Sequence, residues 1–195
     1  MKGPLRTVGK IGAGMAAHAG GMGLLAWHSV RAFGTGKVST RAIMHQLYQM
    51  GVQSMPLVFV TAVLSGFVTS QQGGYQFTGS VPLYVLGSIV TTSVVLELGP
   101  VLTAIMVIGR VGARITAELG TMVVSEQIDA LYSLGRDPVA VLAAPRIMAG
   151  MPAMVALVAI ANLIGLLAGM IAAQMSINLG YETFLYGSRL YWHNY

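Results

Sequence analysis

Glu97 stands inside a long apolar run and is followed at once by Gly99 and Pro100. A carboxylate at mid-membrane depth costs roughly 2.5–3.5 kcal/mol on insertion scales. It therefore needs a partner, water or a proton. Two roles fit. Either Glu97 is neutral and satisfied by a neighbouring helix, or it lines a polar pathway. Pro100 has no N–H to give the Leu96 carbonyl, so a kink or break is expected there. Irregular backbone at such depth is tolerated where it is buried in protein or lines a wet cavity. Glu97, Gly99 and Pro100 are thus candidate substrate-pathway residues. The next cation along the same run, Arg110, is roughly 20 Å away along a helix axis. Any partner of Glu97 must come from another helix, a second copy of the chain or the substrate, and the side chain is expected to face the protein interior.

A second constellation lies in residues 110–146, which carry Arg110, Arg114, Arg136 and Arg146 with Glu118, Glu126, Asp129 and Asp137. Such a balanced charge set does not span a membrane. From 118 to 134 a helical wheel places Glu118, Ser125, Glu126, Asp129, Tyr132 and Ser133 on one side. Leu119, Val123, Val124, Ala130, Leu131 and Leu134 fall on the other, which predicts an amphipathic helix. Met122 and Gln127 break the pattern, and Gly135 followed by Asp137-Pro138 ends it. Periodicity alone leaves two readings: a solvated connector, or a helix that docks into a groove on a cytoplasmic partner.

Other chemistries find no residues to carry them. No GxxxxGK[ST] occurs, so ATP hydrolysis of the Walker type is not expected from this chain. Gly12, Gly14 and Ala17 form a fragment of a dinucleotide fingerprint with no strand before it. There is no HExxH and no GxSxG. The four His residues are scattered and there is no Cys, so neither a metal site nor a disulfide is expected. No catalytic residue and no bound cofactor are expected.

The elements that must position these residues follow from composition. Only 9% of the 195 residues are charged and 55% are hydrophobic, against about 25% charged in a soluble domain. From Arg41 to Glu97 no Lys, Arg, Asp or Glu intervenes. The chain reads as an all-α integral membrane protein, a single domain over 1–195. Three spans are expected, at 47–70, 81–109 and 147–173, with a polar Gly-rich turn at 71–80. The second is long enough to require tilt or a break. Ala161, Gly165 and Gly169 form either a stripe for close helix packing or scattered small residues. Residues 1–41 are basic without acid and contain a Gly- and Ala-rich stretch. A signal peptide is one reading, and a helix in the cytoplasmic interface with Trp27 and Phe33 at the headgroups suits it better. The net charge of +5 then reports orientation rather than nucleic-acid binding. Residues 1–41 and 110–146 hold ten of the eleven basic residues, and Arg189 lies outside them. The positive-inside rule places both segments, and the N-terminus, in the cytoplasm.

The run from Glu97 to Gly150 also resembles the signature region of the MlaE/YrbE-type permeases. The matching motifs are Glu97-Leu98-Gly99-Pro100, Gly109-Arg110-Val111-Gly112, Ala117-Glu118-Leu119-Gly120, Glu126-Gln127-Ile128-Asp129-Ala130-Leu131, Asp137-Pro138 and Pro145-Arg146. Weaker similarity reaches back through Gln46-Leu47-Tyr48 and Gly51. Members are membrane subunits of ABC transporters that carry phospholipid or related lipid across the bacterial envelope. The resemblance implies a multi-pass protein of the bacterial inner membrane acting as a homodimer around a lipid cavity. It implies an ABC ATPase subunit, which uses ATP and Mg, docked on the 118–134 helix, and a periplasmic lipid-binding subunit with an MCE domain. ATPase coupling would then fall to Glu118, Glu126, Asp129, Arg136 and Asp137. Arg110, Arg114 and Arg146 would be structural on the cytoplasmic side. Many members carry Arg before the ELGP glutamate, where Leu96 stands here, so an anion-binding role is not carried over to that position. The family also has two further spans. The ending YGSRLYWHNY reads as the lead-in to another, which points to a longer parent chain. Two rival functions remain open: a proton- or ion-coupled carrier using Glu97, and a membrane adaptor that transports nothing.

Overall fold

The computed structural model describes residues 4–34, 38–76 and 81–193, and among them every regular element is helical. A backbone in hydrocarbon must satisfy its own N–H and C=O groups, and a helix does so within one segment. Three helical stretches are long and apolar enough to cross a membrane: Thr40–Gln76, Tyr84–Val124 and Val139–Ile177. They contain 37, 41 and 39 residues. At about 1.5 Å per residue each exceeds a ~30 Å hydrocarbon core. The all-α membrane architecture expected from composition is thus present. The helices are α1 (Pro4–Gly34), α2 (Thr40–Met50), α3 (Met55–Gln76), α4 (Tyr84–Thr92), α5 (Gly99–Val107), α6 (Ala113–Val124), α7 (Gln127–Ser133), α8 (Ala144–Ile177) and α9 (Tyr181–His193). The chain divides into two compact units, one of Met1–Leu47 with Glu118–Gly150 and one of Tyr48–Ala117 with Met151–Tyr195.

In the second unit, α3 and α8 pack side by side. The buried face of α3 repeats every fourth residue: Val58, Ala62, Gly66, Ser70 and Gly74. Val58 and Ala62 share a core with Val107, Leu157 and Ala161. Further along, a Cβ on Gly66 would collide with the Gly165 carbonyl, and one on Gly169 would come within 3.2 Å of the Gly66 oxygen. Ala161, Gly165 and Gly169 therefore form a packing stripe, which the sequence had left as one of two readings. Lipid tails are as apolar as Leu, so close backbone approach replaces the hydrophobic effect as the driving force. A second core joins Leu86, Val90 and Val94 to Ala173, Leu179 and Phe184. Here α9 lies on α4, with the Tyr84 and Tyr186 rings edge to face at 5.9 Å. In the first unit, α1 packs along the turn at 139–143. Ser29 is buried there, while Met15, Met22, Leu24, Trp27 and Val30 are exposed.

Several expected boundaries differ. The stretch 71–80, read as a turn, is helical to Gln76, and 77–80 lie outside the described residues. Gly73 and Gly74 punctuate no turn, because Gly74 is buried and extends the α3 face, where an added Cβ would come within 3.4 Å of Ile177. The second and third spans run on as helix past 109 and begin before 147, which leaves 125–138 between the long helices. The closing segment, read as a lead-in to another span, is helical to His193 as part of α9, and 194–195 lie outside the described residues. Of the interfacial residues named for the N-terminus, Trp27 is exposed on α1, and the Phe33 side chain lies outside the described set.

Candidate functional site

The first candidate site centres on Glu97. No break occurs at Gly99-Pro100. The helix instead widens into a π turn over Ser93–Leu98, in which the Gly99 N–H donates to the Val94 carbonyl five residues back. Pro100 then falls in the first turn of α5, where its missing donor is tolerated. One extra residue in the turn absorbs what the sequence predicts as a kink, and such π turns are frequent at functional sites. Gly99 is buried, and a Cβ there would collide with the Asn162 side chain of α8. Asn162 occupies the inward side at this level. Glu97, two residues from Gly99 and thus on another face, is exposed together with Leu96. Within the single chain the Glu97 side chain is thus exposed rather than enclosed.

Asn162 escapes notice in a charge-based reading because it is neutral. A carboxamide in the middle of a mostly apolar span was the available signal, since such groups bond across helices. Its Oδ1 is buried with no partner. Beside Leu98, a groove of about 370 Å³ opens along α3, lined by Thr61, Leu64, Ser65, Val68, Thr69, Leu98 and Leu102. Thr61, Ser65 and Thr69 form a hydroxyl ladder at four-residue spacing. Each hydroxyl donates to a carbonyl three or four residues back, at 2.6 Å for Thr69 to Ser65 and 3.0 Å for Ser65 to Ala62. The wall is apolar with one polar edge.

The second candidate site is the charged segment. The amphipathic helix expected over 118–134 is two helices. Glu126 adopts φ 56°, ψ 17° between α6 and α7, a left-handed conformation that costs a non-Gly residue about 1–2 kcal/mol. The break rotates the second half relative to the first, so one wheel does not describe both. Val123, Val124, Tyr132 and Leu134 are exposed. Ile115, Glu118, Leu119 and Met122 are the half-buried face of α6, which is why Met122 breaks the wheel pattern. Gly135, at φ 68°, closes α7 as the sequence predicts. Its N–H and that of Arg136 bond the Tyr132 and Leu131 carbonyls at 2.9 and 3.0 Å, the double bond of a Schellman end. The Asp137 carboxylate accepts from the Val139 N–H at 2.9 Å and so starts the next helix.

Of the residues assigned to coupling, Glu126, Asp129, Arg136 and Asp137 are exposed. Glu118 differs, because it pairs with Arg146 at 2.9 Å. Arg146 is only 7% exposed and also donates to the Leu142 carbonyl at 3.0 Å. That carbonyl belongs to a second π turn, Val139–Ala143. Arg114 donates to Gln53 at 3.1 Å, and Arg110 is exposed in a third π turn, Ile108–Gly112. Among the described residues no cluster of His, Asp and Glu could hold a metal ion.

Long apolar helices, close-packed small residues and one charged connector define a multi-pass helical membrane protein. Comparison with known proteins makes this specific. The sequence profile of the family described as Permease MlaE matches residues 43–193, and the chain belongs to that family. It is 39% identical over 143 residues to a probable ABC transporter permease protein of Rickettsia typhi, covering 73% of this chain and 55% of that protein. It is 35% identical over 179 residues to one of Rickettsia felis, covering 92% and 69%. One from Synechocystis is 39% identical over 114 residues, covering 58% and 43%. The chain thus spans 43–69% of the length of these relatives.

Proposed function

We propose that the chain is the permease subunit of an ABC transporter that moves phospholipid or a related lipid between the bacterial inner membrane and a periplasmic MCE-type carrier. ATP hydrolysis in a partner ATPase drives the transfer. One observation carries the lipid reading: the groove on α3 is apolar with a single hydroxyl edge, and the Glu97 turn lies at its Leu98 end. An acyl chain matches the wall, and a polar headgroup matches the ladder and the carboxylate. An ion pathway would need polar groups on more than one side. Exposed Glu97 also argues for a second copy, because a carboxylate facing lipid tails is costly, and a homodimer or a bound headgroup covers it. The exposed face of α6 and α7, with Glu126 and Asp129 among Val123, Val124 and Tyr132, is the surface offered to the ATPase. The N-terminus is cytoplasmic on this reading.

The test is purification of the full-length complex in mild detergent, with mass spectrometry of subunits and lipids, then lipid transfer from reconstituted vesicles. Co-purified ATPase, MCE-type subunit and lipid are expected. Glu97→Gln is expected to keep assembly and lower transfer, and Glu97→Leu to lower it further. Transfer that follows a pH gradient rather than ATP would establish the secondary carrier. A complex without lipid would establish the adaptor.

A further inference from the structure

We infer that Glu118 and Arg146 are positioning residues forming an internal strut, through which the ATPase-docking segment is held to the start of the third span. Glu118 on this account does not touch the ATPase. The inference rests on the permease reading above and reassigns one of its residues.

Three observations converge. First, Glu118 stands on the half-buried face of α6, not on the exposed face with Val123 and Val124. Its carboxylate is already engaged by Arg146 at 2.9 Å. Secondly, the Arg146 guanidinium is buried and tied at two ends, to Glu118 through Nη2 and to the Leu142 carbonyl through Nη1. A single planar cation thus joins α6, the π turn Val139–Ala143 and the first turn of α8. Thirdly, the pair brackets the one strained residue of the segment. Glu126, with φ 56°, and α7 lie in the chain between Glu118 and Arg146.

The fork geometry of Arg fixes direction as well as distance, so a displacement of α6 is passed to α8 rather than dissipated at the Glu126 break. The π turn Val139–Ala143 holds one residue more per turn than an α-helix, and the Leu142 carbonyl that Arg146 caps lies within it. In the third π turn, Ile108–Gly112, the Gly112 carbonyl is capped instead by the Thr116 hydroxyl at 2.9 Å, a tie within one helix. A buried pair adds little net stability compared with apolar replacements, whereas removing one partner strands the other. Its use is therefore specificity of arrangement.

The test uses the full-length complex with its ATPase and compares Glu118→Gln with the exchange Glu118→Arg/Arg146→Glu. The readouts are ATPase co-purification and the ratio of lipid-stimulated to basal hydrolysis. Glu118→Gln is expected to retain the ATPase and to lose stimulation by about 5- to 150-fold, the range of coupling between linked sites. The exchange is expected to restore most of it. Unchanged stimulation in Glu118→Gln overturns the strut. So does loss of the ATPase that the exchange does not restore, which would make Glu118 a direct contact. If neither variant accumulates, the pair serves folding alone and the strut is again overturned. A wild-type complex without any ATPase refutes the permease reading instead, and that outcome is visible before any variant is made.

Discussion

Gly66→Ala tests a close backbone contact between α3 and α8. An ideal Cβ on Gly66 falls 3.0 Å from the Gly165 Cα and nearer still to its carbonyl. Carbon atoms sit at about 3.5–4.0 Å at rest, so α3 and α8 must separate by at least ~0.5 Å. A gap of 0.5–1 Å already forfeits about a quarter to a half of each lost contact's attraction. The loss extends along the seam, since Ala62, Gly66 and Gly169 meet the same strip of α8 and α3 backbone. Overpacking of this kind costs about 1–3 kcal/mol. The methyl also favours helix by up to about 1 kcal/mol relative to Gly, which partly offsets the loss. Gly120→Ala is the matched control, because nothing lies within 4 Å of a Cβ there. It is expected to gain up to about 1 kcal/mol from propensity alone. The two substitutions, identical in chemistry, should move thermal unfolding of the detergent-solubilised protein in opposite directions. A Gly66→Ala protein as stable as Gly120→Ala would show that α3 and α8 do not approach as described.

Three further outcomes are open to direct measurement. The chain has no native Cys, so an impermeant maleimide applied from outside should label Tyr75→Cys, at a position 77% exposed, and miss Ser125→Cys; the reverse pattern would invert the topology. Reversal of both Glu126 and Asp129 to Lys should detach or uncouple the ATPase while the permease still folds, and surviving stimulation would return α7 to a solvated connector. Glu126→Gly should raise thermal stability by about 1 kcal/mol, since Gly takes the left-handed region without strain, and Glu126→Val should lower it; equal midpoints for the two would contradict φ 56° at this residue.

The presence of three long apolar helices was legible because charge is excluded from hydrocarbon, and the empty interval between Arg41 and Glu97 reports that exclusion directly. The Gly135 end of α7 was legible too, since Gly takes the left-handed geometry at the least cost. What was hidden depends on partners distant in sequence. Gly73 and Gly74 carry the composition of a turn, and only the facing Ile177 makes Gly74 part of a helix seam. Glu118 and Glu126 look alike on a wheel, yet one meets Arg146 and the other sits at a helix break. Asn162 carries no charge and no periodic signal, although it decides what can stand at position 99.

Pro100 shows why local chemistry under-determines the result. The rule that proline removes a hydrogen bond is obeyed, because no N–H reaches back from position 100. The rule does not say how the chain accommodates the loss. A kink leaves carbonyls facing hydrocarbon, each costing several kcal/mol when unsatisfied. A π turn closes the same gap with the Gly99 N–H bonded to Val94, and it keeps the helix straight enough for α8 to pack along it. That packing in turn requires Gly at 99, because Asn162 occupies the space a Cβ would need. The same three residues therefore set both the path of the backbone and the outward face of Glu97. Substituting Gly99, rather than Pro100, is the change that should disturb the carboxylate most.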